Sequence, residues 1–463
     1  MFRTLVSALA LFATAAGAQA PRADQAVFRD LYKALVETDT SVATGSCTRA
    51  AELVRDRMRA GGFTDAQLTL FKDDKLPLDG GIVAMLPGSD PKAKPILLLG
   101  HIDVVNARRE DWTRDPFKFI EEGGYFYGRG TADMKGLAAI WIDSLIRMKQ
   151  QGYKPKRTIK LALTCGEESG ARMNGVEWLA KNRPDLIAAE FALNEGGGGD
   201  ADASGKLISQ TMQVGEKSNR SYELTATNPG GHSSIPIDDN AIYALADAVQ
   251  KVRAYKFPVR FNDTTRAFFA KVGADRDDET GRAMVRLAAN PGDAAAAAIV
   301  SRDRTYNSML RTTCVATMLA AGHAVNALPQ RATATINCRI IPGEDGDTTK
   351  AALIAAVGDP KLAVTMVGRL RPIAVPPPLS AKIMAPAERL VAKHFPGVPL
   401  IPAMSTGATD ATYLTGIPTY GVPGPWGDPD GNGAHGLNER MGVKSIYAGR
   451  DFLFELVKAY ADE

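Results

Sequence analysis

The stretch TIKLALTCGEESG, residues 158–170, decides how the chain is read. Thr158 to Thr164 is a short, mainly apolar run followed by a turn-forming glycine, the pattern of a buried strand. Two adjacent glutamates, Glu167 and Glu168, close it. Like charges side by side at the edge of a core are costly unless something positive joins them. Working outward, Pro95–Gly100 (PILLLG) is a second buried strand and Phe191–Asn194 (FALN) a third. Between them Leu137, Ile140, Trp141, Leu145 and Met148 recur at helical spacing and predict an amphipathic helix over 136–150. Strands alternating with helices predict an α/β layered sheet.

The texture changes near Glu216. Ser221–Thr227 alternates polar and apolar residues, as a half-exposed strand does, and two more such runs lie at 313–320 and 332–341. Residues 256–311, with Phe261, Phe268 and Phe269, read as an insertion whose aromatics form its core or, alternatively, an apolar acyl pocket. Val375-Pro-Pro-Pro-Leu379 reads as a stiff return linker, after which helix 384–394 and strand 417–422 resume the α/β pattern. The expected division is 21–215 and 373–463 for a discontinuous first domain, with 216–372 inserted in it.

At 463 residues the chain is too long for one core. A net charge of +3 without a basic run argues against nucleic-acid binding. Residues 1–20, with Arg3, an apolar stretch from Leu5 to Ala16 and A-x-A sites, read as a secretory signal peptide. The expectation is an exported protein, periplasmic or secreted, with no stable membrane span after processing. Cys47, Cys165, Cys314 and Cys338 have no framework spacing. They are expected to be buried free thiols, with a Cys314–Cys338 pair, in two nearby strand-like runs, as the alternative.

The chemistry-bearing residues share a place. His101, Glu167 and Glu168, Glu195 and His435 each fall at or after the carboxyl end of an expected strand, and Asp133 lies between a short strand and a helix. In open α/β sheets that edge binds ligands. Imidazoles and carboxylates gathered there suit Zn²⁺, with Co²⁺ or Mn²⁺ as alternatives. Five ligands with one shared carboxylate make a two-metal site with ions about 3.5–4 Å apart.

The runs LLLGHIDVVN, YGRGTADMKG, CGEESG, NPGGHSS, GHAVNALP, INCRIIPGED, STGATDATYL and GAHGLNE, in this order from about residue 96 to 440, resemble the M20 family of metallopeptidases and amidohydrolases. That family includes aminoacylase, carboxypeptidase S, glutamate carboxypeptidase and succinyl-diaminopimelate desuccinylase. The resemblance implies a metallopeptidase-type catalytic domain with a mixed, largely parallel sheet, and an inserted ferredoxin-like α+β lid. It implies two Zn²⁺ held by His101, Asp133, Glu168, Glu195 and His435, with Asp133 bridging. Glu167 is implied as general base toward the bridging water, Asp103 as the group orienting His101, and His232 as a donor to the forming oxyanion. Relatives of the aminoacylase and carboxypeptidase type are similar in having Glu at position 195, which points to a substrate with a free carboxylate: an N-acyl amino acid or a C-terminal peptide bond. Arg339 and Asn326 are the candidates for holding the substrate carboxylate and carbonyl, with Gly407 and Thr409 lining the cleft. The resemblance also allows a homodimer through the lid, with His232 acting within its own subunit or across to the partner. A dipeptidase of the same family, or a non-catalytic metal- or peptide-binding relative, are the alternatives. His323 and His394 match no ligand position. Asp428–Glu439 fits a calcium-loop template, but Pro-Gly-Pro-Trp-Gly before it excludes an entering helix.

Overall fold

The computed structural model describes residues 22–169 and 173–463; the expected signal peptide lies outside the described residues. A nine-stranded mixed sheet forms the main layer. Four neighbouring strands at its centre run parallel: Ile159–Thr164, Ile96–His101, Phe191–Asn194 and Thr419–Gly421. Ile96–His101 and Ile159–Thr164 are buried along their whole length. Continuous burial is why they read as unbroken apolar runs rather than as alternation. The odd residue, Lys160, keeps its strand place because its Nζ donates to the carbonyls of Asp185 and Ala188, both at 2.8 Å. Expected and observed strands agree to within a residue, except that 417–422 contracts to Thr419–Gly421 and the strand expected at 221–227 begins at Ser218.

Helix Lys135–Gln150 differs from expectation. It is not amphipathic: Asp143 and Ser144 are buried together with Ile140, Trp141 and Leu145. The C-terminal helix Val443–Asp462 covers its second face, and Arg450, fully buried, donates Nε to Asp143 at 2.8 Å and NH1 to Asp24 at 2.7 Å. The polar residues that suggested a wet face instead make a buried ion pair. Arg450→Ala leaves buried Asp143 with only the more distant Arg147, at 3.6 Å, and is expected to cost about 3–5 kcal/mol, measured as a lowered urea midpoint.

A second sheet carries the order Thr313–Ala321, Arg331–Ile340, Ser218–Thr227, Ala363–Val367, all antiparallel. Helices Ala241–Ala254 and Gly346–Val357 complete a β-α-β-β-α-β chain order, the ferredoxin-like arrangement. Tyr222, Leu224, Leu245, Ile336 and Leu353 fill its core on one face only, which is why these strands alternate in sequence. The helical segment between them does not belong to that core. Phe269, Met284, Leu287 and Val300 pack with Met404 of strand Leu400–Ser405, at the rim of the main sheet. Phe261 and Phe268 pack against the same cluster, as core residues of the segment.

The free-thiol expectation is overturned. Cys47 is bonded to Cys165, and Cys314 to Cys338; no cysteine is free. Cys314 and Cys338 are direct partners in adjacent antiparallel strands. Cys47 and Cys165 lie 118 positions apart in sequence, so only the fold brings them together. Among the described residues, no helix is long and apolar enough to cross a membrane.

Candidate active site

The carboxyl ends of the central strands deliver the site. His101 is the last residue of its strand and Glu195 follows the next. Glu167 and Glu168 follow Ile159–Thr164 through Gly166, whose φ is +91°. A side chain at that glycine would collide with the Met173 carbonyl, so the turn that presents both glutamates requires glycine. Asp133 comes from outside this sheet, from the turn before helix Lys135–Gln150, and His435 from a long loop, at a φ of 58°.

The side chains converge as two groups that share Asp133. His101 Nε2 lies 3.2 Å from Asp133 Oδ1 and 3.7 Å from Glu195 Oε1. His435 Nε2 lies 3.1 Å from Asp133 Oδ2 and 2.9 Å from Glu168 Oε2. One oxygen of Asp133 thus serves each histidine. Ligand atoms of a tetrahedral ion with bonds near 2.0 Å stand roughly 3.3 Å apart. The donor set therefore fits two divalent cations, with Asp133 between them. Glu167 sits with His101 and Glu168 in a third grouping.

The electrostatics call for those cations. Burial pushes the Glu167 carboxyl up to about 10, with Asp410, Glu195 and Glu168 adding to the shift and His101 opposing it. Burial likewise raises Glu168 to about 7. Burial would raise Asp133 too, but the hydrogen bonds from His101 and His435 hold it below the usual carboxylate range. Asp133 and then Glu168 raise His435 to about 9. Ions bind the deprotonated ligands, so His435 and Glu168 must lose protons on loading. Metal affinity is expected to rise between pH 6 and 9, by up to roughly tenfold per pH unit for each proton released. Calorimetric titration in buffers of different ionisation enthalpy counts those protons.

The supports differ in part from expectation. His101 Nδ1 pairs with the backbone carbonyl of Asp103 at 3.0 Å, while the Asp103 carboxylate stands at 3.7 Å. A carbonyl there fixes the proton on Nδ1 and leaves Nε2 free to ligate. The Asp103 carboxylate instead accepts the backbone N–H groups of Glu167 at 3.3 Å and Glu168 at 3.0 Å. It holds the glutamate turn while standing within ion-pair range of the imidazole. Glu439, given no role from the sequence, accepts the N–H groups of Gly130, Ala132 and Asp133, and Arg129 NH1 at 2.7 Å. Arg129 also donates to the Gly436 carbonyl, tying the Asp133 turn to the His435 loop. The available signal was position: Arg129 and Glu439 sit inside the two motifs that carry Asp133 and His435.

The remaining candidates separate into two places. Arg339 is half-buried on the lid strand Arg331–Ile340, close enough to Glu167 to feel its charge. Thr409 lines the catalytic side, where its N–H and hydroxyl both donate to buried Glu216, and the Gly407 carbonyl accepts from Lys217. His232 and Asn326 share a small exposed ribbon: Gly231–His232 pairs with Ala327–Leu328, and Ser233 N–H donates to the Asn326 carbonyl. His232 Nδ1 accepts from Ser234, and no described hydrogen bond or ion pair joins it to the carboxylate cluster. His394 lies 3.3 Å from Glu455, far along the C-terminal helix, as befits a structural residue. Asp428 and Asp430 of the calcium-like loop are both taken by Arg440.

The chain is 29% identical over 382 residues to the N-fatty-acyl-amino acid synthase/hydrolase PM20D1 of Xenopus tropicalis, covering 80% of this chain and 73% of that protein. It is 29% identical over 383 residues to the probable carboxypeptidase S-like 2 of Dictyostelium discoideum, with 80% and 72% covered. In structure it resembles the M20 family metallo-carboxypeptidase Sso-CP2 of Sulfolobus solfataricus, with a TM-score of 0.69 at 18% identity, over 95% of this chain and all of that one. The model of peptidase family M20/M25/M40 matches residues 97–459, a span that holds every residue of the two histidine–carboxylate groups, and the chain is a hydrolase belonging to that family.

Proposed function

We propose that the protein is a two-metal amidohydrolase that splits the amide between an acyl group and an amino acid with a free carboxylate. The observation that carries this reading is the pair of histidine–carboxylate groups sharing Asp133, with Glu167 beside them. His101 and Glu195 would hold one ion, Glu168 and His435 the other, and Asp133 both; Zn²⁺ suits this donor set best. When bound, such ions polarise a carbonyl and make water a stronger acid. Glu167 would take the proton of the attacking water and hand it to the leaving nitrogen. Arg339 would hold the carboxylate of the amino-acid half, since a guanidinium matches it with two parallel hydrogen bonds. His232 would donate to the carbonyl oxygen once the lid or a partner subunit brings it in. The named activities of the Xenopus and Dictyostelium relatives favour an N-acyl amino acid or a C-terminal peptide bond as substrate.

Export is part of the same proposal. Two disulfides and no free cysteine suit an oxidising compartment. A homodimer through the lid is proposed from its edge strand Thr313–Ala321, where Val315, Met318 and Leu319 are 58%, 69% and 67% exposed. Light scattering is expected to give twice the chain mass.

The test of function is a substrate panel offered to chelated and zinc-reloaded protein. It holds N-acetyl- and N-dodecanoyl-L-phenylalanine, their carboxamides, and dipeptides with free or blocked termini. Zinc-dependent cleavage that needs the free carboxylate is the expected result. Cleavage confined to dipeptides with a free amino terminus would move the assignment to a dipeptidase. Metal binding without any turnover would leave a binding protein.

A further inference from the structure

Among the described residues, the buried cations are answered by carboxylates or by backbone carbonyls, and Lys217 by neither. Arg450 meets Asp143, and Arg129 meets Glu439. Lys135 donates to the Thr38 carbonyl, inside the fields of Asp39, Glu439 and Asp103. Lys217 is as deeply buried as these. It stands at the crossing from the main sheet to the lid, between strands Leu207–Glu216 and Ser218–Thr227. Its backbone N–H is held by the carbonyls of Ser405 and Gly407, each at 3.2 Å. Among the described residues, however, its Nζ reaches only two neutral hydroxyls, Ser308 Oγ at 3.2 Å and Thr313 Oγ1 at 3.3 Å. The neighbouring carboxylate, Glu216, is taken by Thr409 and Gln213 instead.

A second unanswered cation stands beside it. Thr313 is the direct cross-strand partner of Arg339. Opposed residues in an antiparallel pair have Cβ atoms about 4.5–5.5 Å apart, so the hydroxyl that holds Lys217 Nζ adjoins the base of the Arg339 side chain. Among the described residues the Arg339 guanidinium has no hydrogen bond or ion pair; Arg371 repels it and Glu167 attracts it. Burial, with the Arg339 charge added, pulls the Lys217 ammonium down to about 7. Two adjacent positive groups without a counter-ion destabilise a fold unless an anion completes them.

We propose that Lys217 and Arg339 form one anion site for the carboxylate of the substrate's amino-acid half, with Arg339 in contact and Lys217 as the buried charge behind it. The proposal rests on the free-carboxylate reading above and adds Lys217 as a residue that sets specificity without touching the reacting atoms. It places the cleft's selectivity at the joint between lid and catalytic sheet, where the anion would neutralise both parts at once. A unit charge about 6–8 Å away, at an effective dielectric near 20, changes affinity for an anion by roughly 10- to 100-fold.

The experiment compares N-dodecanoyl-L-phenylalanine with its carboxamide, on zinc-loaded wild type and Lys217→Met. The readout is the ratio of kcat/KM for acid over amide, which does not depend on the fraction of active protein. Methionine keeps the length and removes the charge, so the variant is expected to fold with an unchanged or raised Tm. The expected result is a ratio reduced about 10- to 100-fold, carried by KM for the acid. A wild type that prefers the acid, with Lys217→Met preferring it as strongly, would overturn the inference and leave the function standing. A wild type indifferent to the carboxylate, or inactive on both compounds, would overturn the functional reading and this inference with it. A variant that fails to fold would mark Lys217 as structural and overturn the inference alone.

Discussion

Replacing Glu167 by glutamine is expected to lower kcat by about 10²- to 10⁴-fold while both metal ions stay bound. The geometry separates the two adjacent glutamates for this purpose. Glu168 lies 2.9 Å from His435, within the group centred on Asp133, whereas Glu167 has no such contact and groups with His101 and Glu168 from the side. Glutamine keeps the size and the backbone N–H that Asp103 accepts, so the turn should survive. What is lost is a base able to take a proton from water and release it to nitrogen. The burial that raises Glu167 makes it a strong base, and a neighbouring pair of cations would bring it back toward neutrality. Metal content by plasma emission and steady-state kinetics decide the matter together. A kcat within tenfold of wild type, in protein free of contaminating hydrolase, would assign the proton transfer to another group. Loss of metal would instead make Glu167 a ligand.

What the sequence disclosed, and what it withheld, divides along one physical line. Residues 96–101 and 159–164 were legible because burial on both faces forces an unbroken apolar run, and the glutamates after Gly166 stand out against it. The lid strands were legible because one dry face imposes alternation. Pairing over long distances was not. Nothing local marks Cys47 as the partner of Cys165, or Asp143 as the partner of Arg450; each looks like a lone thiol or a wet charge until the fold closes. Supporting residues were hidden for a related reason. Glu439 acts on backbone N–H groups around Asp133, and a backbone donor leaves no residue type to recognise. Asp103 was named, but its carboxylate proved to hold the Glu167–Glu168 turn while its carbonyl took the histidine. Spacing tells which residues are near, not which atom of each is used.

Asp133→Ala is expected to abolish turnover and to prevent both metal ions from binding together. Asp133 offers Oδ1 to the His101 group and Oδ2 to the His435 group, so no other residue can replace it. Each half keeps one histidine and one carboxylate, His101 with Glu195 and Glu168 with His435. Two ligands from each half hold an ion weakly, and the shared negative charge that lets two cations sit about 3.5–4 Å apart is gone. Two divalent charges at that separation repel by on the order of 18 kcal/mol at an effective dielectric of 20, far more than two remaining ligands can offset for the second ion. Glu439→Gln provides the contrast. It leaves every ligand in place, loosens the backbone turn that aims Asp133 and removes the counter-charge of buried Arg129, so a loss of about 10- to 100-fold in metal affinity is expected, with both ions still binding. Equilibrium dialysis against Zn²⁺ separates the two. If Asp133→Ala still took up two ions per chain with near-native affinity, the bridging role would be wrong, and the histidine–carboxylate groups would have to be two independent sites.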